Sequence, residues 1–307
     1  MADLKPARGT IASARAGVRR VFRFAPSPNG YLHLGHAFSA LLNRRLAEES
    51  GGRLLLRIED IDPERSRPHF EAAIIEDLAW LGLAWEQTPR RQSEHMSDYR
   101  AALDQLTRRG LAYPCFCSRK EIAEACADRK DWPLDPDFSP LYPGACRHLS
   151  MAERASRIAG GARFALRLDM EKALAEAAAP LIYREFHEGS DGAVVGAAPA
   201  LWGDAPIGRR DAPTSYHLAC TLDDHLQGVT DVVRGVDLEA ATGLHRLLQA
   251  LLGLRTPDYR HHRLVRDEHG RKLAKSKSAV PLRELRAKGT TPEALRAFLA
   301  LEMGRDF

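Results

Sequence analysis

Apolar residues recur along this chain with two alternating periods. VFRF (21–24) and LLLRI (54–58) are runs of strand length, whereas residues 36–49 set Leu41, Leu42 and Leu46 on one helical face. Residues 67–81 repeat the helical spacing through Ile74, Ile75, Leu78 and Leu81 until Gly82, and residues 97–109 repeat it until Gly110. Strand, helix, strand, helix predicts a parallel sheet with crossover helices, an α/β fold. Past residue 113 the periodicity fails, and paired cysteines with prolines at 133, 136, 140 and 143 fill residues 115–147. RFALRL (163–168) restores a strand pattern; strands are expected through to 201, and the Ala-rich run 173–179 is helix-prone. SYHLACTLDDHLQGVTDVVRG (215–235) resumes strand-and-helix character, and a helix over 238–253 stops at Gly253. The expected organisation is a flexible tail (1–20), a first half (21–112), an insertion (113–200), a second half (201–255), and a basic loop with short C-terminal helices (256–307).

Composition narrows the class. With 307 residues, 44% hydrophobic and 28% charged, the chain reads as soluble and globular. No apolar run approaches the roughly 18 residues of a membrane span, so no membrane partner is expected. A net charge of +4 permits a nucleic acid partner without requiring one. The first twenty residues carry five basic side chains and one acid but no apolar export core, and the protein is expected in the cytoplasm as a monomer. Five cysteines (115, 117, 126, 146 and 220) are an odd number, and their clustering points to a metal rather than to a disulfide framework. Cys126 and Cys220 have no second-ligand pattern and read as packing residues.

Candidate chemistry starts at RFAPSPNGYLHLGHA (23–37), where an apolar strand breaks at two prolines and a glycine before a helix. A helix N-terminus presents unpaired N–H groups and the positive end of its dipole, which attract phosphate. His33 and His36 stand there as additional donors, and Gly35 lets a flat ligand come close. Near the other end, RKLAKSKS (271–278), with lysines at 272, 275 and 277 and two serines, is a cationic loop suited to a triphosphate.

Together HLGH and KLAKS resemble the HIGH and KMSKS signatures of class I aminoacyl-tRNA synthetases. With LLRIEDIDPERS (55–66), WLGLAWE (80–86) and LDDHLQGVTDVVRGVDL (222–238), the resemblance is to the glutamyl-tRNA synthetase catalytic domain, across residues 21–278. It implies a Rossmann-like nucleotide-binding domain that activates L-glutamate with ATP and Mg²⁺. His33, His36 and Lys275 are then the expected catalytic residues, with Gly35 and Lys272 also at the ATP. Arg23, Phe24, Ala25, Pro26, Ser27, Glu59, Tyr216 and Arg234 match glutamate-binding positions. Without the resemblance, Glu59 reads as a surface salt bridge and Arg234 as a structural partner of Asp231 or Asp237. Only residues 277–307 follow KLAKS, so no anticodon-binding domain is expected. That compactness resembles the branch that transfers glutamate to the queuosine base of tRNA(Asp); a short enzyme charging tRNA(Glu) and a non-catalytic RNA binder remain alternatives. Cys115, Cys117, Tyr142 and Cys146 resemble that branch's zinc site, with His148 competing with Tyr142 for the fourth position.

Overall fold

The first strand, β1 (Val21–Phe24), is buried at every position, as befits a strand covered on both faces. The computed structural model describes residues 19–177, 179–187, 192–265 and 280–304. After β1 come α1 (Leu34–Glu49), β2 (Arg53–Ile58), α2 (Pro68–Trp80), the short β3 (Arg90–Arg91) and α3 (Met96–Arg108). β1, β2 and β3 pair in parallel in that order, with Val21 opposite Arg53 and Phe24 opposite Leu56. The expected strand–helix alternation is therefore present. α1 begins at Leu34, two residues before the periodicity indicated, because His33 caps it.

The middle of the chain contributes β4 (Ala112–Cys115), α4 (Arg119–Ala127), α5 (Met151–Ala159), β5 (Ala165–Leu168), α6 (Met170–Ala177), β6 (Ile182–Glu185), β7 (Ala193–Gly196) and β8 (Pro206–Gly208). The expectation of strands running through to 201 needs correction, because the helix α6 interrupts them. In the cysteine-rich region, where no regular element was expected, α4 starts at a capping box between Ser118 and Glu121. α5 starts in the same way at Ser150 and Glu153. Such reciprocal caps satisfy orphan donors locally and fix where these polar segments start, while α4 also buries Ile122 and Cys126. β4, β5 and β8 form a separate antiparallel sheet.

The last elements are α7 (Tyr216–Leu226), β9 (Asp231–Gly235), α8 (Glu239–Leu252), β10 (Asp258–His262), α9 (Leu282–Ala287) and α10 (Pro292–Met303). β10 runs parallel to β9 and β6, and β7 pairs antiparallel with β6, giving the order β7-β6-β10-β9. β6 and β7, inside the interval read as an insertion, thus belong to this second sheet. Side-chain bonds seam the two parallel layers where β1 meets β9. Val21 N–H donates to the Thr230 hydroxyl at 2.7 Å, and Asn43 of α1 donates to the Val233 carbonyl at 3.1 Å.

One core packs Phe22, Phe38, Ile74 and Leu78 against Leu295 and Leu299 of α10. A second joins α3, α7 and α8 through Leu106, Leu218, Leu244 and Leu248. The third is small: Tyr113, Cys115, Ile122, Tyr142 and Cys146. So few apolar side chains bury little area, and a bound metal is the usual supplement. Among the described residues, no helix is long and apolar enough to cross a membrane.

Candidate active site and metal centre

The ends of β1 and β9 lie side by side, and the loops leaving them open a cleft of roughly 480 Å³. Arg23, Phe24, Ala25, Pro26, Ser27, His33, Gly35, His36, Glu59, Tyr216 and Arg234 line it together. Residues 23 and 234 meet because β1 and β9 are adjacent. Lys272 and Lys275 lie outside the described residues.

At the α1 N-terminus the two imidazoles form a reciprocal cap. Gly35 N–H donates to His33 Nδ1 at 3.1 Å, and His33 N–H donates to His36 Nδ1 at 3.2 Å. Because each Nδ1 accepts, each neutral ring carries its proton on Nε2, as a donor suited to an oxyanion. No acidic residue occupies the first turn of α1, so the dipole's positive end is not cancelled there. Glycine leaves room for the cap: a Cβ at Gly35 would lie 3.0 Å from His33 Cε1, so the imidazole would have to shift.

Arg23, Arg57 and Arg234, at or behind the wall of this cleft, differ in charge balance. Asp224 Oδ1 accepts from Arg23 Nε at 3.0 Å and from Arg57 Nη1 at 2.8 Å. Arg57, fully buried, also holds Glu59 at 3.2 Å. Burial alone would raise Asp224, yet Arg23 and Arg57 hold it below the ordinary carboxylate range. Burial raises Glu59 against the pull of the same arginines. Glu59 is thus a buried partner of Arg57 rather than a surface salt bridge.

Arg234 is arranged otherwise. Its Nη2 donates to Thr242 Oγ1 at 2.7 Å, its Nη1 lies 3.3 Å from His245 Nδ1, and its buried Nε has no partner among the described residues. Asp231, one alternative partner, is taken by Arg20. Burial and the Arg234 charge push His245 well below its usual range, so it stays a neutral acceptor. Behind this pair, Thr242 Oγ1 lies 3.0 Å from His261 Nε2, and His261 Nδ1 lies 2.8 Å from Glu185. Arg234 is therefore a rigidly held cation with neutral first partners, the arrangement that favours an incoming carboxylate.

Sequence reasoning missed Arg57, Asp224, Thr242 and His245 as supports, and Ser39, Asp237, Leu238, His262, Leu264 and Val265 as further lining. The sequence signal for them was the acidic pair Asp223–Asp224 beside the apolar run of SYHLACTLDDHL, and the structure buries both. Asp223 accepts from Arg90, Gln92 and Tyr99, at 2.8 to 2.9 Å, and so ties α7 to α3.

Apart from the cleft, the ligand atoms of Cys115, Cys117 and Cys146 lie within 4.8 Å of one another. The Sγ atoms of Cys117 and Cys146 are 3.5 Å apart. Tetrahedral zinc with Zn–S near 2.3 Å separates its sulfurs by roughly 3.8 Å, so the thiols fit. The Tyr142 hydroxyl joins them, 3.4 Å from Cys117 Sγ, while accepting the Cys146 N–H at 2.7 Å. The Arg167 guanidinium lies 4.1 Å over the Tyr142 ring, an electrostatic support for charge on its oxygen. His148 is not part of the clustered group among the described residues. The donor set favours a thiophilic divalent metal.

A family described as "tRNA synthetases class I (E and Q), catalytic domain" matches residues 20–304, and the chain belongs to it. Within that class, the chain is 44% identical over 285 residues to the "Glutamyl-Q tRNA(Asp) synthetase" of Rhodobacter capsulatus, covering 92% of this chain and all of that one. It is 36% identical to "Glutamate--tRNA ligase 2" of Syntrophus aciditrophicus, of which the match covers 56%. A solved glutamate-tRNA synthetase from Elizabethkingia anophelis superposes with a TM-score of 0.68 at 26% identity, over 89% of this chain and 54% of that one. The chain thus spans about half the length of that structure. The resemblance read from the sequence is borne out.

Proposed function

We propose that this protein activates L-glutamate with ATP, without tRNA, and transfers the glutamyl group to the queuosine base in the anticodon of tRNA(Asp). The observation that carries the reading is the match over the whole length of the glutamyl-Q tRNA(Asp) synthetase relative. The composition of the cleft is consistent with it. Class I synthetases use ATP with Mg²⁺. A glutamate carboxylate oxygen attacks the α-phosphorus, the bond to the bridging oxygen breaks, and pyrophosphate leaves with the electron pair. A queuosine hydroxyl then bonds to the acyl carbon, the acyl–phosphate C–O bond breaks, and the proton passes to the departing AMP.

In this reading Arg23 and Arg234 serve the carboxylates, Glu59 the ammonium, and Tyr216 supplies a hydroxyl. His33 and His36 donate to the nucleotide phosphates at the α1 terminus. For Lys275 and Lys272 the support is indirect. Val265 lines the cleft, and Pro281 bridges to His33, so the chain on either side of the KLAKS segment adjoins the phosphate end. Cys115, Cys117, Tyr142 and Cys146 would hold zinc, which closes the small third core. The protein acts as a cytoplasmic monomer.

Glutamate-dependent ATP–pyrophosphate exchange without tRNA, followed by glutamylation of tRNA(Asp) with and without queuosine, tests the proposal. Exchange without RNA and transfer only to the modified tRNA are expected. Exchange that requires tRNA(Glu) would overturn it in favour of a tRNA(Glu)-charging enzyme, and no exchange at all in favour of a non-catalytic binder.

A further inference from the structure

The active-site cleft does not end at the glutamate residues. Ser27, Glu59 and Tyr216 are shared with a side pocket of roughly 100 Å³, whose far wall includes Asp62, Arg65 and Arg209. Arg209 in turn lines an outer depression of roughly 430 Å³ between α3, the end of α5 and the β5–β8 edge, with Arg100, Arg163 and Arg210. Three concavities are thus linked in sequence by shared walls.

Their charge balance changes outward. In the side pocket, Asp62 accepts from Arg65 at 2.8 Å and from Arg209 at 3.2 Å, and Arg209 Nε also donates to Asp211 at 3.0 Å. Arg65 and Arg209 meet Asp62 and Asp211 there, and Glu59 on the shared wall is paired with Arg57, which suits a neutral polar group such as a diol. The depression is different. Arg163 donates to the Arg210 carbonyl at 3.2 Å and Arg210 to the Phe116 carbonyl, so both spend their hydrogen bonds on backbone, while the Glu121 carboxylate feels the Arg210 charge. Arg100 is exposed on α3. Among the described residues none of these three has an ion pair, whereas Arg19, Arg90 and Arg91 all do. Asp104 also lines the depression and leaves a surplus of positive charge.

We infer that this linked groove is the RNA side of the site: the side pocket admits the hydroxylated ring of the acceptor base, and Arg100, Arg163 and Arg210 bind backbone phosphates of the flanking anticodon loop. The inference rests on the function proposed above. Unpaired loop nucleotides can be splayed so that one base enters a pocket while its neighbours' phosphates stay outside. Guanidinium groups not committed to carboxylates suit phosphate. Each phosphate contact on a single strand contributes about 0.7 to the slope of log affinity against log salt.

The test compares the full-length protein with Arg100→Ala/Arg163→Ala. Arg210 is left in place because its bond to Phe116 supports the cysteine loop. The probe is the queuosine-bearing anticodon stem-loop of tRNA(Asp), titrated by fluorescence anisotropy between 50 and 200 mM salt. The double variant should bind at least tenfold more weakly at the lower salt, with a slope shallower by about 1.4 units. Glutamate-dependent exchange should be unchanged, and the loss of transfer should appear in KM for the RNA rather than in kcat. Affinity and slope equal to those of the wild type would overturn the assignment. If exchange also falls, Arg100→Lys/Arg163→Lys decides: restored binding supports a charge role, and binding as weak as in the alanine variant refutes it. A wild type that activates glutamate but glutamylates no queuosine would sink the proposed function, while the binding comparison would still decide this surface.

Discussion

Replacing Arg234 with leucine should abolish glutamate activation while leaving the fold standing. Arg234 is 5% exposed, and among the described residues its guanidinium bonds to Thr242 and His245 and lies 5.5 Å over the Tyr259 ring, with no carboxylate partner. In the function proposed above, a substrate carboxylate would supply the anionic partner that the described residues do not. Removing one member of a desolvated charge pair costs about 2–5 kcal/mol, or roughly 30-fold to several thousand-fold in kcat/KM for glutamate. Stability should respond weakly. The free protein loses hydrogen bonds worth about 1 kcal/mol each but is also relieved of a buried, uncompensated cation. Asp224→Asn provides the contrast, because it strips the carboxylate shared by Arg23 and Arg57. Leaving buried charge unpaired costs about 3–5 kcal/mol, a fall in Tm on the order of 10 °C. The assay pairs glutamate-dependent exchange, at saturating ATP, with thermal unfolding of both variants. If Arg234→Leu keeps kcat/KM within about threefold of wild type, or melts as early as Asp224→Asn, the cation is structural and the reasoning is wrong.

Other outcomes can be checked directly. Asp77 is fully buried, neither of its carboxylate oxygens has a hydrogen-bond partner among the described residues, and burial pushes its pKa up to about 6 against the pull of Arg286, 3.8 Å away. An acid raised on folding penalises the native state once ionised; the penalty is complete above pH 6 and absent below the ordinary carboxylate value near 4. Wild type should therefore gain stability in urea as pH falls between those limits, whereas Asp77→Asn should lose that slope and be about 1–2 kcal/mol more stable at pH 8. Purified protein should retain one equivalent of zinc by elemental analysis, and Cys146→Ser should lose it and melt earlier; a zinc-free wild type of full stability would refute the metal reading. Lys275→Ala should slow exchange at least about tenfold, as expected for loss of a cation at the displaced phosphates, and a near-normal rate would remove it from the site.

Much of this protein was determined by residue order alone. Several short-range expectations held: the buried strand VFRF, the glycine stops at 82, 110 and 253, and two histidines gathered at one helix terminus; the capping boxes at Ser118 and Ser150 are equally local but were not read from the sequence. Cys115, Cys117 and Cys146 were likewise legible because spacing and clustering are one-dimensional. Partner choice among distant charges was not. Asp231 looked like a partner for Arg234, but three positions apart on a strand places them on opposite faces, and β9 turns Asp231 toward Arg20 instead. Arg23 and Arg57 find Asp224 only because α7 packs beside the first sheet, about 200 and 170 residues along the chain. The groove past Arg209 is likewise invisible in sequence, since its arginines come from α3, the loop before β5 and the loop after β8. Periodicity and capping act over a few residues and so can be read from the chain. Charge compensation acts through space in a medium of low dielectric, so only packing decided which cations were neutralised and which were left to bind a substrate.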